Sequence, residues 1–249
     1  MPVEAFKTLV FRFRHGFRGA PVPLGGEVFR LDESLRRWDA RGEDWMFRKL
    51  RECLKPGDDV IDVGANFGFH SLFAAKMLGP RGRVVAFEPV PANITILKRN
   101  VRLNGYQDTI AIQEYAVSDS PENELSMGVH GSGSDVTAAI ITAKAKGGIT
   151  VCNTRLDGFG WPTGFSPKLI KIDIEGAELC ALRGGARLLE DKHPALLLEV
   201  HGALLPKYGD SFADLEAFLH ELDYKLAARA DVAGSLDGCW HALYTWRAT

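Results

Sequence analysis

Residues 59–89 of the 249-residue chain read DVIDVGANFGFHSLFAAKMLGPRGRVVAFEP, and this stretch decides the fold. The β-branched run over 59–64 predicts a strand that ends in a glycine turn, and the apolar spacing over 69–79 predicts a helix. Residues 83–89 predict a second strand, which ends at Pro89. A strand, a helix and a strand in succession are the building unit of a parallel sheet.

The same alternation continues toward the C-terminus. The further predicted elements are strands over 109–117, 168–174 and 194–200, and helices over 91–105, 176–190 (interrupted by Gly184-Gly185) and 211–224. Residues 225–230 and 239–248 alternate between apolar and polar side chains, which predicts an antiparallel hairpin at one edge of the sheet. The pattern therefore predicts an α/β protein with a mostly parallel sheet and helices on both faces.

Two stretches depart from this pattern. Residues 119–167 are rich in Gly, Ser and Thr and are too long for a structureless connection, so we expect an inserted hairpin or lid there. Residues 1–51 carry 11 Lys and Arg against 7 Asp and Glu, whereas the whole chain has a net charge of −2. We therefore predict an N-terminal segment over 1–51 and a main domain over 52–249.

The composition excludes several classes of protein. Apolar residues make up 46% and charged residues 25% of the chain, as in an ordinary globular protein. No apolar run approaches the roughly 18–20 residues of a membrane span, and the four cysteines form no CxxC pair. We expect a cytoplasmic protein with reduced thiols, and the acidic balance of the main domain disfavours a nucleic-acid partner.

The glycine turn is the most informative motif. Asp62, Gly64, Asn66 and Gly68 form a DxGxxxG loop between a strand and a helix, and Glu88 stands at the end of the next strand. An acid at that position can accept hydrogen bonds from ribose hydroxyls. The spacing matches neither GxGxxG nor a P-loop and is typical of S-adenosylmethionine sites. The alternative is a structural turn followed by a solvated glutamate.

Four blocks carry a family resemblance, and they occur in the family's order. DVGAN (62–66), FEP (87–89), AVSD (116–119) and KIDIEGAE (171–178) make residues from about 43 to 200 resemble the FkbM family of class I S-adenosylmethionine-dependent methyltransferases. The resemblance implies a Rossmann-like fold with a mostly parallel seven-stranded sheet. It also implies methylation of an oxygen, commonly a hydroxyl on a sugar, a glycan or a secondary metabolite.

The resemblance further implies which residues bind the cofactor. They are Asp62, Gly64, Ala65, Asn66, Gly68 and Ser71 along its length, Glu88 and Pro89 at the ribose, and Val117 and Ser118 at the adenine. The partner is then a small-molecule or glycan acceptor, and the apolar N-terminal arm could pair two subunits as a homodimer.

Polar side chains at two predicted strand ends are the catalytic candidates. We predict Asp173 and His201 as the base or as orienting groups, with Lys171 and Glu175 shaping the site. Purely structural alternatives remain: Asp173 and Glu175 could cap the following helix, and His201 could have no role in catalysis. Lys171 could simply be a buried ion-pair partner.

A divalent metal is a further alternative. Asp173, Glu199 and His201 could hold Mg²⁺, but their spacing does not require it, so a metal is not predicted. Six arginines could contact an anionic acceptor or could merely be solvated: Arg12, Arg14, Arg18, Arg36, Arg37 and Arg41. Methylation of a protein or nucleic-acid nitrogen, and a non-catalytic cofactor-binding role, remain the alternative functions.

Overall fold

The computed structural model describes residues 18–36, 41–130, 137–141, 148–232 and 238–247. The strands are β1 (Ala20–Leu24), β2 (Glu27–Leu31), β3 (Asp59–Val63), β4 (Arg83–Phe87), β5 (Ile110–Gln113), β6 (Ala116–Val117), β7 (Glu124–His130), β8 (Thr137–Ile141), β9 (Ile149–Thr154), β10 (Pro167–Ile172), β11 (Ala195–His201), β12 (Tyr224–Asp231) and β13 (Cys239–Trp246). The α-helices are α1 (Asp44–Cys53), α2 (Phe69–Leu78), α3 (Pro91–Asn104), α4 (Glu178–Arg183), α5 (Ala186–Lys192) and α6 (Phe212–Glu221).

A seven-stranded sheet organises the molecule, in the order β12-β13-β11-β10-β3-β4-β5. Strand β13 runs antiparallel to both of its neighbours, and the remaining pairs are parallel. The predicted α/β class, the mostly parallel sheet and the C-terminal hairpin are therefore confirmed. The hairpin places its reversed strand inside the sheet, between β11 and β12.

Each face of the sheet is covered by helices. Alternate strand residues such as Val60 and Leu169 belong to a core with α1, α2 and α3, whereas Ile61 and Ile170 belong to a second core with α4, α5 and α6. All five residues of β3 are buried, as expected for a central parallel strand covered on both sides.

The predicted strand over 109–117 is wrong as a single element. The chain leaves the sheet after Gln113, and Ala116–Val117 pairs instead with β9 in a four-stranded sheet of order β6-β9-β7-β8. Strand β5 is at the sheet edge, so no partner holds the chain there once β4 ends. Strands β7 and β8 form an antiparallel hairpin within 119–167, while residues 131–136 lie outside the described part.

Strands β1 and β2 pack against the helices that follow β3 and β4. Residues of β1 and β2 share a hydrophobic core with α2 and α3, and the side-chain amide of Asn104 exchanges two hydrogen bonds with the backbone of Arg30. Arg12, Arg14 and Arg37 lie outside the described residues, as does the side chain of Arg41, so contact with an anionic acceptor stays a prediction. In the part of the chain that the structure describes, no helix is long and apolar enough to span a membrane.

Candidate active site

The glycine loop is the turn between β3 and α2. Backbone N–H groups of Gly64 and Ala65 donate to the carbonyl of Phe87 at 3.0 and 2.9 Å, which ties the loop to the end of β4. Gly64 has a φ of +79°, and a Cβ there would lie 2.0 Å from the carbonyl oxygen of Asp173. Only glycine fits this position, because it tolerates positive φ and the close approach of another backbone.

Glu88 is fixed between this loop and the start of α3. Its Oε2 accepts the backbone N–H of Asn66 at 2.8 Å, and its Oε1 accepts the N–H of Val90 at 2.9 Å and the side-chain amide of Asn93 at 3.2 Å. Burial raises the pKa of Glu88, and these three hydrogen bonds oppose the rise. The carboxyl is therefore positioned by backbone geometry rather than by a countercharge.

The pocket in front of Glu88 is lined by polar and by apolar side chains, and we name two groups of them the polar wall and the apolar wall. The polar wall consists of Asn66, Glu88 and Asn93, and the apolar wall consists of Tyr115, Val117 and Met127. The side-chain oxygens of Asn66 and Asn93 are buried without a hydrogen-bond partner. Because a buried unpaired acceptor is costly, the polar wall is suited to a ligand that carries hydrogen-bond donors.

Some of the predicted cofactor residues line the pocket, and the others lie outside its lining. Gly64, Asn66, Glu88, Pro89 and Val117 line the pocket together with Asp173 and Glu175. The other predicted residues, which are absent from its lining, are Asp62, Ala65, Gly68, Ser71 and Ser118. Seven lining residues were missed from the sequence, namely Val63, Val90, Asn93, Tyr115, Ala116, Met127 and Ile174. Of the polar side chains among them, Asn93 carried a usable signal, because it lies one turn into the helix after Glu88.

Ser71 supports the loop from behind. Its hydroxyl is fully buried and donates to Oδ2 of Asp62 at 2.5 Å. Ser118 is likewise buried, and its hydroxyl donates to the side-chain oxygen of Asn153 at 2.9 Å. Both hydroxyls therefore donate hydrogen bonds to other side chains of the same protein.

Lys171 is the buried link between the glycine loop and the end of β10. Its Nζ donates to the carbonyl of Gly64 at 2.9 Å and lies 3.4 Å from Asp62 Oδ1 and 3.2 Å from Asp173 Oδ2. Burial disfavours its charge, but the nearby carboxylates, led by Asp173, raise the pKa of Lys171 above its ordinary value. These contacts agree with the alternative interpretation of the sequence, in which Lys171 is a buried ion-pair partner.

Asp173 is ionised beside this lysine. Burial opposes the charge, but Lys171, His201 and His70 together lower the pKa of Asp173. Its side chain keeps 27% exposure and lines the pocket, so the carboxylate is accessible to an acceptor.

His201 is surrounded by carboxylates. Its Nδ1 lies 2.9 Å from Glu178 Oε1, and its Nε2 lies 3.7 Å from Glu175 and 3.8 Å from Glu199. Burial disfavours the charged form, but the hydrogen bond to Glu178 and the charges of Asp173, Glu178 and Glu175 raise the pKa of His201 to about 10. A protonated imidazole cannot accept a proton, so the structure favours an orienting role over a base.

A charged cluster lies beside this site, formed by Glu43, His70, Glu199, His201 and His241. Glu43 Oε2 lies 3.4 Å from His70 Nε2, and Glu199 Oε2 lies 3.3 Å from His241 Nε2. The sequence did not predict three of these members as site residues, namely Glu43, His70 and His241. They come from distant segments and share no motif spacing.

The three residues that the sequence left as an alternative metal set are not grouped as one site. Within the described residues, the triads with donor atoms all within 4.8 Å of one another are Glu199–His201–Cys239 and Glu43–Glu199–His241. Asp173 belongs to neither, and the ammonium of Lys171 at 3.2 Å would repel a dication bound to it. Among the described side chains, Asp173 is therefore not grouped with Glu199 and His201 in the way a shared metal ion requires.

The strand order, with reversed β13 between β11 and β12, and a glycine loop facing a strand-end acid define the class I methyltransferase fold. Solved structures agree: the ribosomal protein L11 methylase of Lactobacillus delbrueckii subsp. bulgaricus has a TM-score of 0.54 at 16% identity, covering 90% of this chain and 87% of that one. The methyltransferase FkbM of Methylobacillus flagellatus KT has a TM-score of 0.52 at 18% identity, covering 82% and 51%. These likenesses show the fold.

The family follows from the sequence comparison. The model of the methyltransferase FkbM domain matches residues 62–226, and the chain belongs to this family of methyltransferases. The family resemblance found in the sequence is thereby confirmed.

Two curated relatives are informative. The hexuronic acid methyltransferase AglP of Haloferax volcanii is 28% identical over 181 residues, which cover 72% of this chain and 71% of that protein. The 31-O-demethyl-FK506 methyltransferase FkbM of Streptomyces tacrolimicus is 35% identical over 104 residues, which cover 39% and 40%. The second match therefore spans less than half of either protein.

Proposed function

We propose that this enzyme transfers a methyl group from S-adenosylmethionine to a hydroxyl of a sugar or a similar small molecule. The observation that carries the proposal is the polar wall, where Asn66, Glu88 and Asn93 line one pocket and the side-chain oxygens of both asparagines are buried without a partner. The ribose hydroxyls and amino groups of S-adenosylmethionine are donors of the kind these acceptors lack. The activities of AglP and of the Streptomyces enzyme support a hydroxylated acceptor.

The cofactor assignment follows from the two walls. Glu88 would accept the ribose hydroxyls, and the apolar wall of Tyr115, Val117 and Met127 would pack against the adenine ring. Gly64 and Asn66 would hold the remainder through the glycine loop, with Ser71 acting indirectly through Asp62. When bound, S-adenosylmethionine supplies an electrophilic methyl group on its sulfonium.

Asp173 is the residue that we assign to the acceptor hydroxyl. Its ionised carboxylate lines the pocket and can accept the hydrogen bond, and then the proton, of that hydroxyl. Lys171 keeps the carboxylate charged and fixed at 3.2 Å, while protonated His201 balances the neighbouring Glu175 and Glu178. Alignment of the acceptor for in-line displacement is the main contribution that these residues make.

Calorimetry with S-adenosylmethionine, followed by methyl-transfer assays on uronic acid glycosides, neutral hexosides and macrolide alcohols, tests the proposal. We expect cofactor binding and transfer to at least one hydroxyl class. Asp173→Asn should lower kcat about 100-fold or more while leaving cofactor affinity within about threefold. The exposed Asp191 supplies the matched control, Asp191→Asn, with unchanged kinetics.

Four outcomes would count against it. Absence of cofactor binding removes the cofactor assignment, and transfer to amines instead of hydroxyls supports the nitrogen alternative. Binding without transfer to any acceptor supports the non-catalytic alternative. An Asp173→Asn enzyme with normal kcat removes the role given to that carboxylate.

A further inference from the structure

Glu43, Glu199 and His241 bring three metal-ligating side chains together at one point. Their donor atoms all lie within 4.8 Å of one another, and Glu199 Oε2 is 3.3 Å from His241 Nε2. The three residues come from the segment before α1, from β11 and from β13. Glu43 and His241 also lie outside residues 62–226, which match the family model.

Unsatisfied atoms at this point indicate a missing partner. Glu43 Oε2 and His70 Nε2 are both buried and make no hydrogen bond, and at 3.4 Å they form an ion pair only when His70 is protonated. The side chain of His70 is only 9% exposed, so solvent does not satisfy its ring nitrogen. A buried carboxylate oxygen without a donor is destabilising, and a cation bound to it would remove that penalty.

We propose that Glu43, Glu199 and His241 bind a divalent first-row transition metal such as Mn²⁺ or Zn²⁺. A donor set of one imidazole and two carboxylates suits these ions, whereas Mg²⁺ is usually held by oxygen ligands and waters. Ligand separations of up to 4.8 Å require the side chains to move inward by some tenths of an ångström around metal bonds of about 2.1 Å. His70, beside Glu43, is a positioning residue for that carboxylate.

The metal would lie on the acceptor side of the active site. Asp173, which lines the pocket, is close enough to act electrostatically on both Glu43 and His70. A metal there could ligate an acceptor hydroxyl and make its proton more acidic. That use rests on the proposed function, whereas metal binding itself does not and is tested without any acceptor.

The test is calorimetric titration of the full chain, freed of metal by a chelator, with MnCl₂ and ZnCl₂. We expect one ion per chain. Glu43→Gln and His241→Gln should each weaken binding by at least about tenfold, since each removes a ligand. Glu52→Gln and His220→Gln replace exposed side chains of the same types and should leave the affinity unchanged. Calorimetry with S-adenosylmethionine on every variant checks folding and keeps failure of this proposal separate from failure of the proposed function.

Cobalt distinguishes this site from the neighbouring Glu199–His201–Cys239 triad. The proposed site contains no sulfur, so the Co²⁺ protein should show d–d bands without thiolate charge transfer, and Cys239→Ser should bind Co²⁺ normally. A thiolate charge-transfer band that Cys239→Ser abolishes would move the metal to the other triad and overturn the proposal. So would the absence of measurable binding by the wild-type chain, or affinities that neither Glu43→Gln nor His241→Gln changes.

Discussion

Asp173 lines the pocket beside the polar wall and also interacts with His70 and His201 of the charged cluster, and these two regions are assembled in different ways. Asn66, Glu88 and Asn93 come from one strand–helix–strand–helix segment and are joined by hydrogen bonds to Glu88. The charged cluster draws on segments from Glu43 to His241, and its carboxylates and imidazoles approach one another at 3.3–3.8 Å. A site made by one local segment is fixed by backbone turns, whereas the cluster depends on how remote elements pack.

Lys171 joins the glycine loop to Asp173, which lies next to both regions, and its loss should have the largest effect. Lys171→Met would leave Asp62 and Asp173 buried without their cation, which should lower the free energy of unfolding by about 3–5 kcal/mol. Urea unfolding measures this. Lys168→Met, at an exposed position of the same strand, should change stability by less than about 0.5 kcal/mol. Equal stabilities of the two variants would mean that the buried ion pairs of Lys171 with Asp62 and Asp173 do not stabilise the fold.

The glycine loop should be the next most sensitive point. Gly64→Ala introduces both a strained φ and a contact with the Asp173 backbone, so we expect a loss of about 3 kcal/mol and no detectable cofactor binding. Gly105→Ala has a similar φ of +73° with no atom within 4 Å of the new Cβ, and should cost about 1 kcal/mol. Thermal unfolding of the two variants separates the cost of backbone strain, which both share, from the cost of steric overlap, which only Gly64→Ala has. Similar losses in both would contradict the close approach of β10.

A smaller change should affect the polar wall alone. Glu88→Gln replaces one carboxylate oxygen by an amide that cannot accept the hydrogen bonds made there, so affinity for S-adenosylmethionine should fall about 10- to 100-fold. The acceptor KM should change little, because the charged cluster is untouched. Calorimetry and steady-state kinetics measure the two effects, with exposed Glu114→Gln as the control. A larger change in acceptor KM than in cofactor affinity would reverse the assignment of the two regions.

The smallest effect is expected behind the glycine loop. Ser71→Ala removes the hydroxyl that donates to Asp62, which should cost about 1 kcal/mol of stability. Cofactor affinity should stay within about threefold, because the hydroxyl acts only through Asp62. A loss of cofactor affinity above about tenfold would indicate direct contact and would restore the role that the family resemblance implies for Ser71.

Much of the pocket could be predicted from the sequence, but the split at residues 113–116 could not. Residues 109–117 have the apolar content of one strand, and periodicity alone does not reveal where a neighbouring strand ends. The departure of the chain from the large sheet depends on β9, whose partner residue Asn153 is far away in the sequence. For the same reason Tyr115 and Met127, which form part of the apolar wall, carried no signal.

By itself the sequence determined the sheet, the glycine loop and the position of Glu88 at a strand end. These features follow from hydrophobic periodicity, glycine conformation and the rule that parallel strands end at one edge, all of which act over a few residues. Only the tertiary structure decided that Lys171 is fully paired, that His201 is surrounded by carboxylates and that Glu43 meets His241. Charges and ligand geometry depend on distances between remote segments, and the order of residues does not encode those distances directly.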